Sequence, residues 1–238
     1  MKPLGMIGGL GPESTVDYYH CLVEEYRAQT RDDSYPPILI NSIDLQKARH
    51  FVEEKKYSEL TSYLVEEIER LADAGAVLGF LSANTPHIVF DQVRERCTLP
   101  LVSIVEAACQ AAKKLGYRRL GLIGTAFTMQ ARFFPEVFGK DGMSITVPTP
   151  EEQEYIHEKY LGELVKGAFL PETRRRILEI VGAMKTRDQI DAMILGGTEL
   201  SLLLTDSTKA AVPLLDTARI HVKAVLEQWL GASGVPQP

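Results

Sequence analysis

The chain states the same landmarks twice, in the same order, with a repeat of roughly 115 residues. Leu4-Gly5-Met6-Ile7-Gly8 returns as Leu120-Gly121-Leu122-Ile123-Gly124. Ser82-Ala83-Asn84-Thr85 returns as Gly196-Gly197-Thr198-Glu199, and Pro100-Leu101-Val102-Ser103 as Pro213-Leu214-Leu215-Asp216. Glycine after a strand is common in α/β proteins, so one such echo carries little. Three in one order, at nearly one offset, favour two similar halves.

Between the landmarks, short apolar runs alternate with longer amphipathic stretches, the pattern of an α/β chain with parallel strands. Strands are expected at 4–8, 38–43, 77–81, 101–104, 120–123, 145–148, 193–195 and 214–215. Helices are expected at 15–29, 58–74, 105–115, 155–166, 172–185 and 217–230. The 58–74 stretch puts Leu60, Leu64, Ile68 and Leu71 on one face and stops at Gly75. The fold predicted is two doubly wound parallel α/β sheets, whose ligands bind at the carboxyl ends of the strands. Two halves facing each other would put Ala83 and Gly197 on opposite walls of one cleft.

Charge and composition exclude several partners. The formal net charge is −6, from 26 basic and 32 acidic residues, which offers no field to nucleic acid or to an anionic membrane. The run Arg174-Arg175-Arg176 lies in a charged helical pattern and reads as a solvated face. No apolar run approaches the roughly 20 residues of a membrane span. The amino terminus enters a strand and a glycine turn at once, unlike a cleavable signal. Cys21, Cys97 and Cys109 are an odd set without motif spacing, and the five histidines are scattered singly, so neither disulfides nor a metal site are expected. A cytoplasmic, metal-free protein is the expectation.

Four segments carry candidate chemistry. Gly8-Gly9-Leu10-Gly11-Pro12 turns a strand into a helix; it reads equally as a tight turn or as an anion site built on free N–H groups of Gly9 and Leu10. It is a weak dinucleotide fingerprint, lacking the third glycine, and no phosphate-loop Gly-Lys-Ser/Thr occurs. Asn84 and Thr85 could cap the helix that opens at Pro86, and could also hydrogen-bond a carboxylate; His87 lies one turn on. Thr125 and Thr128 form a second hydroxyl-bearing turn. Thr198 and Glu199 repeat the arrangement of the first half, with a carboxylate at a strand tip that is costly to bury uncompensated.

Together these segments resemble the aspartate/glutamate racemase family, amino-acid racemases that work without pyridoxal phosphate. The likeness runs end to end, through Gly8 to Pro12, Asn84-Thr85-x-His87, Leu120 to Met129, Gly196-x-Thr198-Glu199, and Leu215-Asp216-Thr217 with His221. It implies two doubly wound domains related by a pseudo-twofold axis, with the active-site cleft between them. It implies boundaries of 1–99 plus 213–238 for the first domain and 100–212 for the second, the last helix returning to the first. It also implies a homodimer, a small amino-acid or carboxylate substrate, no cofactor, and no nucleic-acid or membrane partner. Family members move the substrate α-proton with two cysteines, one before the Asn-Thr pair and one before Thr-Glu. A thiol at such a helix start can have a lowered pKa.

At those two positions this chain has Ala83 and Gly197, neither able to carry a proton. Cys21, Cys97 and Cys109 fall elsewhere, and Ser82 is one residue off, facing the other side of its strand. Thr198, Glu199, Thr85 and His87 are then the groups left to handle protons. The family function is amino-acid racemase-type isomerisation of a small acidic amino acid resembling aspartate or glutamate. The alternatives are decarboxylation or elimination on a small carboxylic acid, or carboxylate binding without catalysis. Substrate contacts are expected from Gly9, Leu10, Asn84, Thr85, Thr125, Thr128 and Thr198. Arg49, with Lys47, and Lys166 are candidates for a second carboxylate, though singly each reads as an exposed basic residue.

Overall fold

The computed structural model describes residues 1–30, 34–204 and 209–232. They fall into two compact units, Met1–Ile104 with His221–Pro238, and Val105–Ile220.

In the first unit the chain runs through β1 (Leu4–Gly8), α1 (Pro12–Thr30), β2 (Ile38–Ser42), α2 (Leu45–Glu53), α3 (Tyr57–Asp73) and β3 (Leu78–Leu81). A short 3-10 helix (Thr85–Val89), α4 (Phe90–Arg96) and β4 (Leu101–Val102) follow. The four strands form one parallel sheet in the order β2-β1-β3-β4, with Leu4 opposite both Ile38 and Leu78. β1 and β3 are apolar on both faces and wholly buried, as the middle strands of a covered parallel sheet must be. The edge strand β2 is partly open. Leu60, Leu64 and Ile68 on α3 are fully buried, each contributing about 2 kcal/mol. α3 stops where Gly75 takes the left-handed φ of 97° that a side chain would resist.

The second unit repeats the plan. α5 (Ile104–Lys114) leads to β5 (Arg119–Gly124), α6 (Ala126–Gln130), α7 (Phe133–Gly139), β6 (Ser144–Thr146) and α8 (Pro150–Gly162). A 3-10 turn (Leu164–Lys166), α9 (Pro171–Asp188), β7 (Ala192–Gly196), α10 (Thr198–Leu203) and β8 (Leu214–Asp216) complete it before α11 (Thr217–Ala232). The sheet order is β6-β5-β7-β8, all parallel, the same topology as the first. Its core joins Ile123, Ile156, Tyr160, Ile177, Val181, Met184, Met193 and Leu200.

The boundaries differ from those expected at 99/100 and 212/213. β4 pairs with β3, so residues up to 104 stay with the first sheet. β8 pairs with β7, and the Thr217 hydroxyl donates to the Leu195 carbonyl at 2.6 Å, so the return to the first unit waits until His221. From there α11 belongs to the first unit, where the Trp229 indole N–H donates to the Lys2 carbonyl at 3.0 Å.

Candidate active site

In a sheet of order 2-1-3-4 the crossovers leave in opposite directions on either side of the first strand, which opens a crevice at the strands' carboxyl ends. In the first unit that crevice lies between the ends of β1 and β3, at Gly8–Leu10 and Ala83–Thr85. In the second it lies between β5 and β7, at Gly124–Thr125 and Gly197–Glu199. The two echoed segments are therefore equivalent strand tips, each in its own sheet.

The glycine turn in the first tip is held by its own residues. Gly9 has a φ of 77°, and a β-carbon there would strike the Ile43 carbonyl oxygen. Its N–H donates to Thr15 Oγ1 at 2.9 Å, and the Thr15 hydroxyl donates to the Gly11 carbonyl at 3.0 Å. The expectation that Gly9 offers a free anion donor is corrected: that N–H is already engaged. Leu10 is buried beside it.

Ala83 is buried at the end of β3, followed by Asn84 and the half-buried Thr85. Asn84 already has helical backbone angles and makes no side-chain capping bond to the 3-10 helix, against the capping role expected of it. Ser82 faces β1, its N–H and hydroxyl both donating to the Ile7 carbonyl at 3.0 Å. His87 is buried behind the tip, stacked on Phe90 with 4.5 Å between ring centres. Its Nε2 accepts the Ile104 N–H at 3.3 Å, which leaves the proton on Nδ1, donating to the Ala83 carbonyl at 3.1 Å. Burial, with His221 nearby, pushes its pKa down to about 3. With both nitrogens engaged and the ring neutral, His87 positions the β3 tip and has no nitrogen left for a substrate proton.

His221 is its companion. Nδ1 accepts from the Tyr18 hydroxyl at 3.0 Å and Nε2 donates to the Val102 carbonyl at 3.1 Å. Burial lowers its pKa to about 4. The two imidazoles thus bracket Ser103, one holding the carbonyl before it and the other the N–H after it.

In the second unit Thr125 caps α6, its hydroxyl accepting the Thr128 N–H at 3.2 Å and lying 3.2 Å from the Thr128 hydroxyl. The Ala126 N–H is held by Nδ1 of His157 at 3.2 Å, and the His157 ring meets Phe127 edge-on. His157 is half-buried against this tip. Gly124 lets β5 and β7 approach: a β-carbon there would lie 2.7 Å from the Gly196 carbonyl oxygen.

Gly197 differs from Gly9. Its φ of −150° and ψ of 126° are ordinary extended backbone, so the constraint is space. A β-carbon on Gly197 would lie 2.5 Å from the hydroxyl oxygen of Tyr160 and 2.7 Å from its Cζ. Tyr160, carried on α8, donates its hydroxyl to Oε2 of Glu199. The Thr198 hydroxyl donates to the same oxygen at 3.1 Å. Glu199 is only 2% exposed, and among the described residues no cation is ion-paired with it. Burial and the adjacent carboxylate push the Tyr160 phenol well above its ordinary pKa; the Glu199 N–H and the Thr198 hydroxyl act in the opposite sense. α10 is six residues long, too short for a developed macrodipole, so side chains, not a helix dipole, make the polarity of this tip.

The distal groups are placed less tightly. Arg49 Nε pairs with Glu53 at 2.6 Å on the partly exposed face of α2. Lys47 sits 4.1 Å over the Tyr63 ring. Lys166 is exposed, on the 3-10 turn that packs against α10. None of the thiols stands at a strand tip: Cys21 is on α1, Cys109 on α5, and Cys97 follows α4. Burial holds the pKa values of Cys97 and Cys109 up at about 11, Glu69 adding to the first and Asp141 to the second. Among the described residues no group of three metal-ligating side chains gathers, and no helix is long and apolar enough to cross a membrane.

Tyr160 is the functional candidate that sequence reasoning missed. It lies 39 positions from Glu199 on a different element, and no local spacing joins them.

Two topologically equivalent sheets with polar tips define a duplicated α/β fold of the amino-acid racemase type. The model of the Asp/Glu/hydantoin racemase family matches residues 7–225, and the chain belongs to that family. Among solved structures it resembles a candidate Asp/Glu racemase from Yersinia pestis, with a TM-score of 0.86 and 28% identity over 97% of this chain and 100% of that one. An aspartate racemase homologue from Pyrococcus horikoshii OT3 superposes with a TM-score of 0.82 at 32% identity, covering 96% and 99% of the two chains. The broad specificity amino-acid racemase RacX of Bacillus subtilis is 19% identical over 95% of this chain and 98% of its own length.

Proposed function

We propose that the protein is a cofactor-independent racemase-type isomerase that acts on the α-carbon of a small acidic amino acid. The observation that carries this reading is the recurrence of one polar tip at the switch point of both sheets, in a chain of this family. In this reading each tip is a substrate-binding surface. Asn84 and Thr85 in the first unit, and Thr125, Thr128 and Thr198 in the second, are the candidate hydrogen-bonding contacts for a carboxylate. Such bonds stabilise the charge that builds on the carboxylate when the α-proton leaves. Arg49 and Lys166 are the candidates for a distal carboxylate. We read the protein as cytoplasmic and dimeric; light scattering of the purified chain tests the second point.

A second reading has its own support. Ala83 and Gly197 carry no titratable group, which suits a carboxylate binder, or a lyase or decarboxylase that needs a proton on one face only. One experiment separates the readings. The L and D forms of aspartate and glutamate are incubated with the protein in D₂O and followed by proton NMR. Loss of the α-proton signal supports the isomerase. No exchange, with saturable thermal stabilisation by aspartate, identifies a binder. A new product identifies a lyase or decarboxylase.

A further inference from the structure

We propose that Tyr160, backed by Glu199, is the proton-carrying residue of the second half-site, its hydroxyl occupying the space that a side chain at position 197 would otherwise fill. This rests on the reading that the protein works at the α-carbon of an amino acid.

Two observations converge on it. First, the Tyr160 hydroxyl lies at the tip of β7, 2.5 Å from the position of a β-carbon on Gly197, in a backbone conformation that any residue could adopt. Glycine is there because the phenol is. Second, Glu199 is a buried carboxylate without an ion-pair partner among the described residues. A carboxylate in that state is costly, and two hydroxyls converging on one of its oxygens are the compensation. A costly arrangement of this kind at a ligand-binding crevice is a mark of chemistry.

The step balances within the pair. The α-proton moves to the Tyr160 oxygen as the phenolic proton passes to Oε2 of Glu199. The electron pair of the C–H bond stays on the substrate as a carboxylate-stabilised carbanion. In the return step Glu199 gives its proton to the Tyr160 oxygen as the phenol delivers a proton to carbon. Exchange of the Tyr160 hydroxyl proton, which came from carbon, with solvent between these steps puts deuterium on the substrate.

The test uses the full chain, aspartate and D₂O. Tyr160→Phe keeps the ring that fills the space beside Gly197 and removes only the hydroxyl. It is expected to lower α-proton exchange about 100-fold or more, the usual worth of a positioned acid–base group. Thermal stabilisation by aspartate should remain. Should that variant fold poorly, 3-fluorotyrosine placed at position 160 lowers the phenol pKa and moves the alkaline limb of the pH–rate profile, set by loss of the phenolic proton, to lower pH. An exchange rate unchanged in Tyr160→Phe, or a profile unmoved by fluorination, overturns the proposal while the α-carbon reading stands. Absence of exchange in the native protein overturns both.

Discussion

The Tyr160 hydroxyl and the missing β-carbon of Gly197 compete for one place: 2.5 Å would separate them, well inside any real contact. The two residues are therefore coupled by volume. Gly197→Ala should destabilise the second unit by about 2 kcal/mol through overpacking. In a Tyr160→Leu background, which withdraws the ring tip, the same alanine should cost far less. A coupling energy of about 1 kcal/mol or more is expected from the double-mutant cycle, read from urea midpoints. Additive effects would mean that the ring does not stand where Gly197 needs space. The same clash means that a cysteine introduced at 197 is accommodated only after Tyr160 is trimmed.

The two tips also differ in what they offer a proton. At position 83 there is only a methyl group, Ser82 is bonded to Ile7, and both nitrogens of His87 are engaged. If Tyr160 is the proton carrier, a carbanion it forms is expected to return to the face it came from more often than to the other. For one enantiomer of aspartate in D₂O, deuterium should appear in recovered material of the same hand about tenfold or more faster than the antipode accumulates. A difference of about 1.4 kcal/mol between the two reprotonation barriers is enough for that ratio. NMR gives the exchange rate and chiral chromatography the inversion rate. Equal rates in the native protein would reveal a second proton carrier on the opposite face.

Much of this architecture is legible in the residues. The span of β1 is as expected, and β7 extends the predicted 193–195 by one residue at each end, because buried parallel strands are continuous apolar runs closed by glycine. α2 was not foreseen. Its one apolar face, with Ala48 and Val52 buried, sits in the polar run after Asp44, and only the Asp44 cap to the Gln46 N–H marks its start. α8 begins earlier than predicted, at Pro150, where a reciprocal capping box between Thr149 and Glu152 fixes the end. The site is less legible than the fold. Ala83, Gly197, Thr198 and Glu199 are marked by the repeat, whereas Tyr160 is recruited by packing across α8 and α10. The engagement of His87 likewise depends on Ile104, from the next crossover. Sequence spacing reports neighbours along one element, and these contacts join different ones.

If protons move through Tyr160, the thiols should be dispensable. Cys97 and Cys109 are held as thiols by pKa values of about 11, and Cys21 is buried in α1. Since the thiolate is the reactive form, alkylation near neutral pH should be slow. Treatment with iodoacetamide at pH 7.5 should leave α-proton exchange unchanged, with mass spectrometry reporting how many thiols were modified. Loss of exchange in step with modification of a single cysteine would put a thiol back into the mechanism.

The buried imidazoles give the first unit a particular response to acid. His87 and His221 have folded pKa values of about 3 and about 4, against an unfolded value of about 6.5. Above pH 6.5 both are neutral in either state and cost nothing. Below it the unfolded chain takes up protons that the folded chain refuses, so stability falls with falling pH until the folded pKa values are reached. Each histidine contributes a slope of up to about 1.4 kcal/mol per pH unit in that window. Desolvation and the neighbouring His221 oppose protonation of His87 most strongly; the backbone at Ala83 and Asn84 favours it, and Arg94 opposes it weakly. Urea unfolding monitored through Trp229, itself buried in the first unit, should therefore show a midpoint that drops between pH 6.5 and 4. In His221→Gln the amide offers a carbonyl to Tyr18 and an N–H to Val102 without a titrating ring. That variant should be less stable at pH 7.5 but lose less on acidification. A midpoint slope identical to that of the native protein would show that His221 is not the group that acid titrates.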